Sequence, residues 1–324
     1  MLRSIIIVFL FFQLSADIAL SQCFGSPGNP AAGTSNLGTL KKNVLRVNLY
    51  HRYSYSDSYF NGYTHSDFSL YDKAYYHFLG NLTAFGITDK FTIEAETGYF
   101  INKTIHYAQH LAPTLPEMIK KGYGFNQTIL SGKFLILSDD KFPVKWSAST
   151  GIKIPLRINP QYHNNTQLPQ DVQPSNMAWG IVLQSYLLKE NSFRGLRYFM
   201  INRYEYNFRN NQNFLWGQAL YNSFYLSKRL HFKKAWLTEN WTGIFQLRHE
   251  LRTHNYNYDL ISPEVSASGS SLLYFTPQIN YTAKEIWNFS LMFDVPLFQY
   301  YNKIQIGNKF AANVSITRDF VIKK

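Results

Sequence analysis

Apolar and polar residues alternate along most of the chain, and this alternation constrains the fold more than any other feature of the sequence. In residues 45–55, every second position except His51 is apolar or aromatic, and the positions between them include Arg46, Asn48 and Arg52. A β-strand projects successive side chains to opposite faces, so each such segment has one apolar and one polar face. The same pattern returns at 91–102, 144–153, 287–297 and 310–320.

About twelve segments of this kind are predicted as strands: 44–55, 74–87, 91–102, 124–137, 144–156, 177–188, 196–208, 215–226, 236–251, 271–282, 287–298 and 309–320. Most match the ~9–11 residues with which a tilted strand crosses a bilayer, whereas strands of soluble proteins average about five or six. We therefore expect an all-β protein, a transmembrane antiparallel up-and-down β-barrel of about twelve strands within a range of about ten to fourteen, formed by residues 44–324. Rings near strand ends are expected to form two interfacial girdles: Tyr53, Tyr55, Tyr99, Phe100, Trp146, Trp179, Tyr206, Trp241 and Trp287.

Composition excludes several other classes of protein. The chain has 324 residues, of which 45% are hydrophobic and 17% aromatic, and such a chain can bury a large core rather than stay disordered. After residue 12 no run approaches the ~18 apolar residues of a membrane-spanning helix. Cys23 is the single cysteine, so a disulfide scaffold is excluded.

The connections alternate in length, which is a second indication of a membrane barrel. Long polar connections are predicted at 56–73, 103–123, 157–176, 252–270 and 299–308, and short ones at 88–90, 138–143 and 283–286. Outer-membrane barrels have short periplasmic turns and longer outer loops, so both termini are expected in the periplasm. Residues 209–214 are an exception, because they are brief where a long loop is expected.

The N-terminal residues have the pattern of a secretory signal peptide. Arg3 precedes an apolar stretch at 5–12, and Ala19-Leu20-Ser21 is a small-residue cleavage site. We predict a signal peptide at 1–21, with cleavage near Ser21/Gln22 and export through the Sec pathway. Cys23 follows Leu20 as in a lipoprotein, but Gln22 is the wrong residue before a lipidated cysteine, so plain cleavage is favoured.

Residues 22–43 are rich in Gly and Pro and precede the first predicted strand. They are expected to be either a flexible periplasmic tail or a small plug in the lumen, and the tail is favoured.

The alternate positions that carry polar residues in each strand predict which side chains line the lumen. Candidate lumen residues are Arg46, Arg52, Glu94, Glu96, Lys145, Lys153, Arg203, Glu205, Arg248 and Glu250, with Arg197, Arg209, Arg252, Asp294 and Asp319 on the same parity. These side chains form either a conduction path or a network of salt bridges that closes a narrow barrel. With a formal net charge of +12, a basic lumen would favour anions or weak acids.

Signals for catalysis, metals and cofactors are weak. His106 and His110 have the i, i+4 spacing of two zinc ligands, but Tyr107 stands where a metalloprotease has its glutamate. His249 and His254 carry no stronger signal, and no Gly-x-Ser-x-Gly turn is present. We therefore predict no metal, no cofactor and no enzymatic activity. Basic residues are dispersed and accompany no recognition motif, so a nucleic-acid partner is not expected.

Residues 150–186 resemble the meta-pathway phenol-degradation family of outer-membrane transporters. The resemblance is carried by the strand Gly151-Ile152-Lys153-Ile154-Pro155, by a loop with Leu168-Pro169 and Val172-Gln173-Pro174, and by Trp179-Gly180. The chain departs from the family pattern at Arg157 and at Ser175-Asn176, where glycines are usual. The resemblance implies passage of small, often apolar or aromatic molecules across an outer membrane. The Tyr- and Asn-rich composition also resembles outer-membrane proteins of Bacteroidota.

These observations favour a porin-like channel or transporter for small solutes, apolar or weakly acidic, in a Gram-negative outer membrane. A competing hypothesis is a structural or surface-binding barrel with a sealed lumen and functional loops at 56–73, 157–176 and 252–270. A hydrolase with its site at the outer rim is the third. The expected partners are outer-membrane lipid, the solute and the barrel-assembly machinery, and the chain is expected to be a monomer.

Overall fold

The computed structural model describes residues 38–111, 118–139, 144–163, 165–191, 195–230, 240–284 and 286–322. Twelve long strands dominate these residues: β1 (Val44–Ser56), β2 (Tyr71–Thr88), β3 (Phe91–Tyr107), β4 (Gln127–Asp139), β5 (Val144–Pro155), β6 (Gly180–Asn191), β7 (Leu196–Asn207), β8 (Ala219–Leu230), β9 (Trp241–Arg252), β10 (Ser270–Ala283), β11 (Trp287–Gly307) and β12 (Phe310–Val321). The predicted signal peptide at 1–21 and most of the 22–43 segment lie outside the described residues.

The twelve strands form one closed antiparallel barrel. Each strand pairs with its neighbours in chain order, and the sheet closes where β1 pairs with β12 from Val44↔Val321 to Tyr55↔Phe310. The predicted fold class is therefore confirmed. We call the end at which β1 begins and β12 ends the terminal end, and the opposite end, which carries the long connections, the loop end.

Short elements lie at the loop end. They are the strands Ser58–Gly62, Thr64–Ser66, Ile119–Phe125, Tyr162–His163, Thr166–Gln167, Phe214–Leu215, Asn255–Asn257 and Glu264–Val265, and the 3-10 turns Gln109–Leu111 and Gln170–Val172. Ser58–Gly62 pairs with the last residues of β11, and Ile119–Phe125 pairs with β3. In the described residues, no helix is long and apolar enough to span a membrane.

Two of the predicted loops are wrong. Residues 299–308 belong largely to β11, which continues to Gly307 by pairing first with β10 and then with Ser58–Gly62, with Lys303 in the left-handed region (φ 58°) between the two pairings. Residues 103–107 likewise extend β3. Both segments are rich in polar residues, but Ile105, Tyr301 and Ile306 are buried in them, so backbone pairing and a few buried apolar side chains together keep them extended.

Some predicted strand ends are also shifted. β6 begins at Gly180 rather than at 177, and β8 begins at Ala219 rather than at 215. The connection before β8 is consequently longer than predicted. Residues 209–214 are therefore part of a long loop, as expected at this end of the barrel, and are no longer an exception. Phe214 and Leu215 form their own short strand against Asn255–Asn257, because their apolar side chains pack among the loops.

Exposure alternates along the strands as the two-residue period requires. Asn48 is buried and Leu49 half exposed in β1, while Gln246 is buried and Phe245 half exposed in β9. A row of apolar side chains thus faces outward, which suits hydrocarbon, and polar side chains face inward. At the terminal end, the guanidinium of Arg318 lies 4.5 Å from the rings of both Trp287 and Phe320. Phe100, predicted for a girdle, instead lies inside the barrel at 2% exposure.

Aromatic rings inside the barrel lie against glycines of the next strand. The Tyr50 ring covers Gly80 of β2 so closely that a Cβ there would overlap it, and the Phe78 ring covers Gly98 of β3 in the same way. Glycine permits this close approach because it has no side chain. The rings therefore pack flat on the inner wall instead of projecting across the lumen.

Residues 39–43 run along the terminal end before β1 begins. The Leu40 amide donates to Thr92 Oγ1 (2.8 Å), the Lys42 amide to Asp89 Oδ1 (2.8 Å) and the Asn43 amide to the Gly86 carbonyl (2.8 Å). Leu40 and Thr92 are both buried. This part of the predicted N-terminal segment is thus bound to the β2–β3 turn and covers part of the terminal end.

Candidate functional site

The first group of charged residues in the lumen surrounds Asp294 of β11. Arg52 Nη2 contacts Asp294 Oδ2 at 2.7 Å, Arg248 Nη2 contacts the same oxygen at 3.2 Å, and Thr276 Oγ1 donates to Oδ1 at 2.5 Å. Arg248 also pairs with Glu250 (2.9 Å). We call these five residues the Asp294 cluster. They come from β1, β9, β10 and β11, so the cluster joins strands that are not all neighbours.

A second group surrounds Glu205 of β7. Lys153 Nζ and Arg203 Nε each lie 2.7 Å from a Glu205 oxygen, and Lys153 also donates to Asn207 Oδ1 (2.9 Å). Arg203 Nη1 reaches Glu96 of β3 at 2.9 Å. We call these residues the Glu205 cluster. The contact between Arg203 and Glu96 crosses the lumen, because β4, β5 and β6 lie between their strands in the sheet.

Two further ion pairs lie inside the barrel. Lys133 of β4 contacts Glu94 at 2.7 Å, and Arg46 contacts Asp319 at 2.6 Å near the terminal end. A basic lumen was expected from the net charge, but the cations of these pairs and clusters are matched by carboxylates. The structure therefore corrects that expectation for this part of the interior.

The clusters leave little free space. A cavity of about 20 Å³ is lined by Arg52, Tyr76 and Arg248, among others, and a second of about 20 Å³ is lined by Tyr50, Glu96 and Arg203, among others. A volume of this size holds about one water molecule. In the conformation described, the lumen is therefore narrow at both clusters.

The loop between β5 and β6 folds inward over the loop end. Leu168 and Val172 are buried in a cluster with aromatic side chains of the wall, which include Tyr59, Tyr71, Tyr76, Phe78 and Phe100. We call residues 165–179 the inner loop. Its apolar side chains bury surface against the wall, and this burial holds the loop in the barrel mouth.

Hydrogen bonds fix the inner loop on both sides of the mouth. On the β3 side, Lys103 Nζ donates to the Gln173 carbonyl (3.3 Å), and Gly122 lies so close to the Val172 carbonyl that a Cβ would overlap it. On the opposite side, the Asn176 carbonyl accepts from Trp216 Nε1 (3.1 Å) and from Asn210 Nδ2 (3.2 Å). The inner loop thus bridges the opening.

One ionisable side chain of the inner loop is buried beneath it. Asp171 is 3% exposed, and neither carboxylate oxygen has a hydrogen-bond partner. Burial raises the pKa of Asp171 to about 7, although the nearby Lys103 ammonium acts in the opposite direction. A carboxyl group in this position changes charge close to neutral pH.

The structure brings most of the predicted lumen residues together. Eight of the ten candidates lie in the two clusters or the Lys133–Glu94 pair, namely Arg52, Glu94, Glu96, Lys153, Arg203, Glu205, Arg248 and Glu250. Arg46 pairs with Asp319, whereas Lys145 is exposed at the beginning of β5 and joins no cluster. Their part in transport stays a prediction.

Sequence reasoning missed Lys103, Lys133 and Asp171. Lys133 could have been predicted to face the lumen, because it lies on the strand face opposite to that of Leu130 and Phe134, which point outward. Lys103 lay in a segment predicted as a loop, and Asp171 in a connection without periodicity, so no pattern indicated their burial.

The histidines that suggested metal chemistry do not assemble a site. His106 is buried in β3, whereas His110 is exposed in a 3-10 turn. His249 contacts Ser271 Oγ (3.0 Å) on the outward face, and His254 contacts Asn302 Nδ2 (3.1 Å) at the loop end. Within the part of the chain that is described, no three His, Cys, Asp or Glu side chains are grouped to hold a metal ion.

Comparison with known proteins supports the fold. No protein-family model and no curated protein matches the chain. Among solved structures, the COG4313 outer membrane channel from Pseudomonas putida F1 matches with a TM-score of 0.63 and 10% identity, covering 91% of this chain and 100% of that one. The TodX deltaS2S3 mutant, a monoaromatic hydrocarbon channel, matches with a TM-score of 0.46 and 10% identity over 93% of this chain and 98% of its own. A Pseudomonas aeruginosa FadL homologue has a TM-score of 0.40 and 7% identity over 94% and 97%.

Proposed function

We propose that the protein is a channel of restricted bore for small solutes in a Gram-negative outer membrane. The observation that carries the proposal is the contrast between the two faces of the wall. Apolar side chains face outward along the strands, while the interior carries charged and hydrogen-bonding groups from Arg46 near the terminal end to Arg248 and Glu250 near the loop end. Such an interior suits water and a polar or ionisable solute.

The cavities at the two clusters bear on the size of the solute. Each is about 20 Å³, so a solute larger than water would pass these two points only if side chains moved. The wall beneath the inner loop is rich in rings, including Tyr76 and Phe100, which would contact an apolar or aromatic body. The arginines of the Asp294 cluster are paired with Asp294 and Glu250, so they would contact an acidic group of the solute by exchanging one of these partners. We therefore propose small apolar or weakly acidic solutes.

The resemblance of residues 150–186 to the phenol-degradation transporters supports the same proposal. In the structure, these residues comprise the end of β5, the inner loop and the start of β6. The stretch that carries the resemblance is therefore the one that occupies the barrel mouth. Monomeric state and insertion by the barrel-assembly machinery stay predictions.

A sealed barrel that binds partners through its loops is the second candidate. The small cavities at the two clusters favour it, as does a cavity of about 410 Å³ at the loop end, lined by Asn61, His254, Glu264, Tyr300 and Lys303, among others. This volume lies in the range of small-molecule sites, ~300–1,000 Å³.

Current through single barrels in a planar lipid bilayer separates the two candidates. We expect wild-type protein to give small, interrupted currents, and a variant in which residues 165–176 are replaced by Gly-Ser-Gly to give larger and steadier ones. The matched control shortens the exposed stretch 258–262, which is outside the inner loop, and is expected to behave as wild type. Absence of current in both the wild type and the inner-loop variant, at every voltage, would refute the channel.

A further inference from the structure

The inner loop contains a buried carboxyl group that no structural contact requires. Asp171 occupies the 3-10 turn Gln170–Val172 at 3% exposure, and both of its oxygens lack hydrogen-bond partners. Its neighbours in the chain are held by backbone contacts: Val172 packs on Gly122, and the Gln173 carbonyl accepts from Lys103. Buried polar atoms without partners are uncommon in proteins and indicate a functional or strained position.

The groups that face Asp171 come from every element packed against the turn. β3 contributes Lys103 and Tyr107, β2 contributes Tyr71, and the Ser58–Gly62 strand contributes Tyr59. In the Ile119–Phe125 strand, Lys120 has the same parity as Gly122, which touches the turn. Burial lowers the pKa of Lys103 to about 8, which is still above that of Asp171, and Asp171 is the one carboxyl group of this set, so it is the member that changes charge in the acidic range.

We propose that the inner loop is a lid that closes the loop end of the barrel as the surroundings become acidic, and that Asp171 takes up the proton on closing. The inference rests on the proposed channel function for its physiological meaning, but the movement itself does not depend on solute passage. The carboxylate would be solvated when the lid is open and buried when it is closed.

The direction of the pH effect follows from linkage. With the lid closed, burial raises the pKa of Asp171 to about 7. With the lid open, a solvated aspartate has a pKa of about 3.9. Between these values the closed state holds one proton that the open state releases, so acid favours the closed state, and the ratio of closed to open lids changes by up to about tenfold per pH unit. Above about pH 7, a buried negative charge disfavours closure.

The contacts between the lid and the barrel wall allow the lid to separate from the wall as a unit. Its contacts with the wall include apolar packing by Leu168 and Val172 and a few hydrogen bonds. The ion clusters lie on the barrel strands and stay intact when the loop leaves. Opening therefore exposes the mouth without disrupting the wall.

Distances between spin labels test the movement directly. In a Cys23→Ser background, labels at Thr166→Cys on the inner loop and Thr64→Cys on the rim are both on exposed residues. Double electron–electron resonance in lipid nanodiscs is expected to give mainly one distance at pH 5. At pH 8 a second, longer distance is expected, and the fraction of molecules that show it should be at least about tenfold larger than at pH 5. An unchanged distance distribution over this range overturns the proposal.

Two substitutions identify the group that takes up the proton. Asp171→Asn resembles the protonated carboxyl in shape and charge, so we expect it to show the closed distance at both pH values. The matched control Asp67→Asn removes an exposed loop carboxylate and is expected to keep the pH response. A pH response that persists in Asp171→Asn overturns the assignment. Heat-dependent mobility on SDS gels shows whether each variant forms the barrel.

The result for the lid is separate from the result for the channel. Loop movement with pH in a barrel that passes no current supports the lid and refutes the channel. Current that is the same at pH 5 and pH 8, together with fixed label distances, supports the channel and overturns the lid.

Discussion

At the scale of single residues, the interior depends on carboxylates shared by several cations. Asp294 holds Arg52 and Arg248, each at most 8% exposed in its side chain. Two buried guanidinium groups beside one carboxylate are stable only while that carboxylate is ionised and correctly placed. The consequence is that these side chains act as a group rather than as separate pairs.

Removing the central carboxylate should therefore be costly. We expect Asp294→Asn to lower the free energy of unfolding in lipid by about 3–5 kcal/mol, because it leaves buried cations without a counter-charge. Urea unfolding in lipid vesicles, followed by tryptophan fluorescence, measures the loss. The control Asp319→Asn breaks the partly exposed pair with Arg46 and should cost less than about 1 kcal/mol. Equal losses in both variants would contradict this account of the cluster.

At the scale of elements, pairs of polar side chains on neighbouring strands lie on the outward face between β5 and β10. Trp146 Nε1 donates to Ser185 Oγ (3.0 Å), Asn202 Nδ2 donates to Asn222 Oδ1 (2.6 Å), and His249 contacts Ser271 Oγ (3.0 Å). Exposed apolar residues flank them on the same strands, such as Leu183 and Leu187 beside Ser185. Hydrogen bonding between neighbouring strands lets these polar groups face an apolar surrounding.

The pairing of Asn202 with Asn222 can be tested by a double-mutant cycle. Asn202→Leu alone should lower the free energy of unfolding by about 1–2 kcal/mol, because Asn222 is left unpaired on the outward face. Asn202→Leu with Asn222→Leu should recover most of this loss, since both partners become apolar. Unfolding in lipid vesicles gives the values. Additive losses in the double variant would show that the two side chains do not depend on each other.

The elements also show how far the sequence predicts the fold. Most of the twelve strands were placed within a few residues, because one face of each meets apolar surroundings and the other a polar lumen. Prediction failed at 299–308 and 103–107, because the apolar residues that are buried there, such as Ile105 and Ile306, are too few to give a clear two-residue period. In the site, parity located Arg52, Arg203 and Arg248, but burial of Asp171 depends on how a loop folds over the mouth, and no local pattern encodes that.

At the scale of the whole molecule, the barrel has an outside that is unsuited to water. Exposed Leu, Ile, Val and Phe side chains surround the wall, as at Leu130, Ile152 and Phe245. The β1–β12 ladder leaves no free edge between the two terminal strands, so every barrel strand has two neighbours. A closed wall of this kind is stable in a bilayer, where unpaired backbone groups are strongly disfavoured.

The chain without residues 1–21 should therefore fold only with lipid or detergent. We expect it to aggregate in plain buffer, and to give in detergent micelles a compact form that migrates faster on unheated SDS gels than after boiling. Circular dichroism of the same samples should show β structure in micelles. A folded, monodisperse protein in buffer alone would contradict the membrane barrel and require a soluble secreted fold.

The contact between Arg203 and Glu96 also affects the shape of the barrel. It joins β7 directly to β3, four strands away in the ring of twelve, whereas the Asp294 cluster spans the same separation from β9 to β1 through Asp294 of β11. A ring of strands deforms most easily from a circle into an ellipse, and a contact along a chord of the ring resists that deformation. Lateral pressure from the surrounding lipid would then be carried by a few side chains, and the width of the ring would change only when that contact breaks.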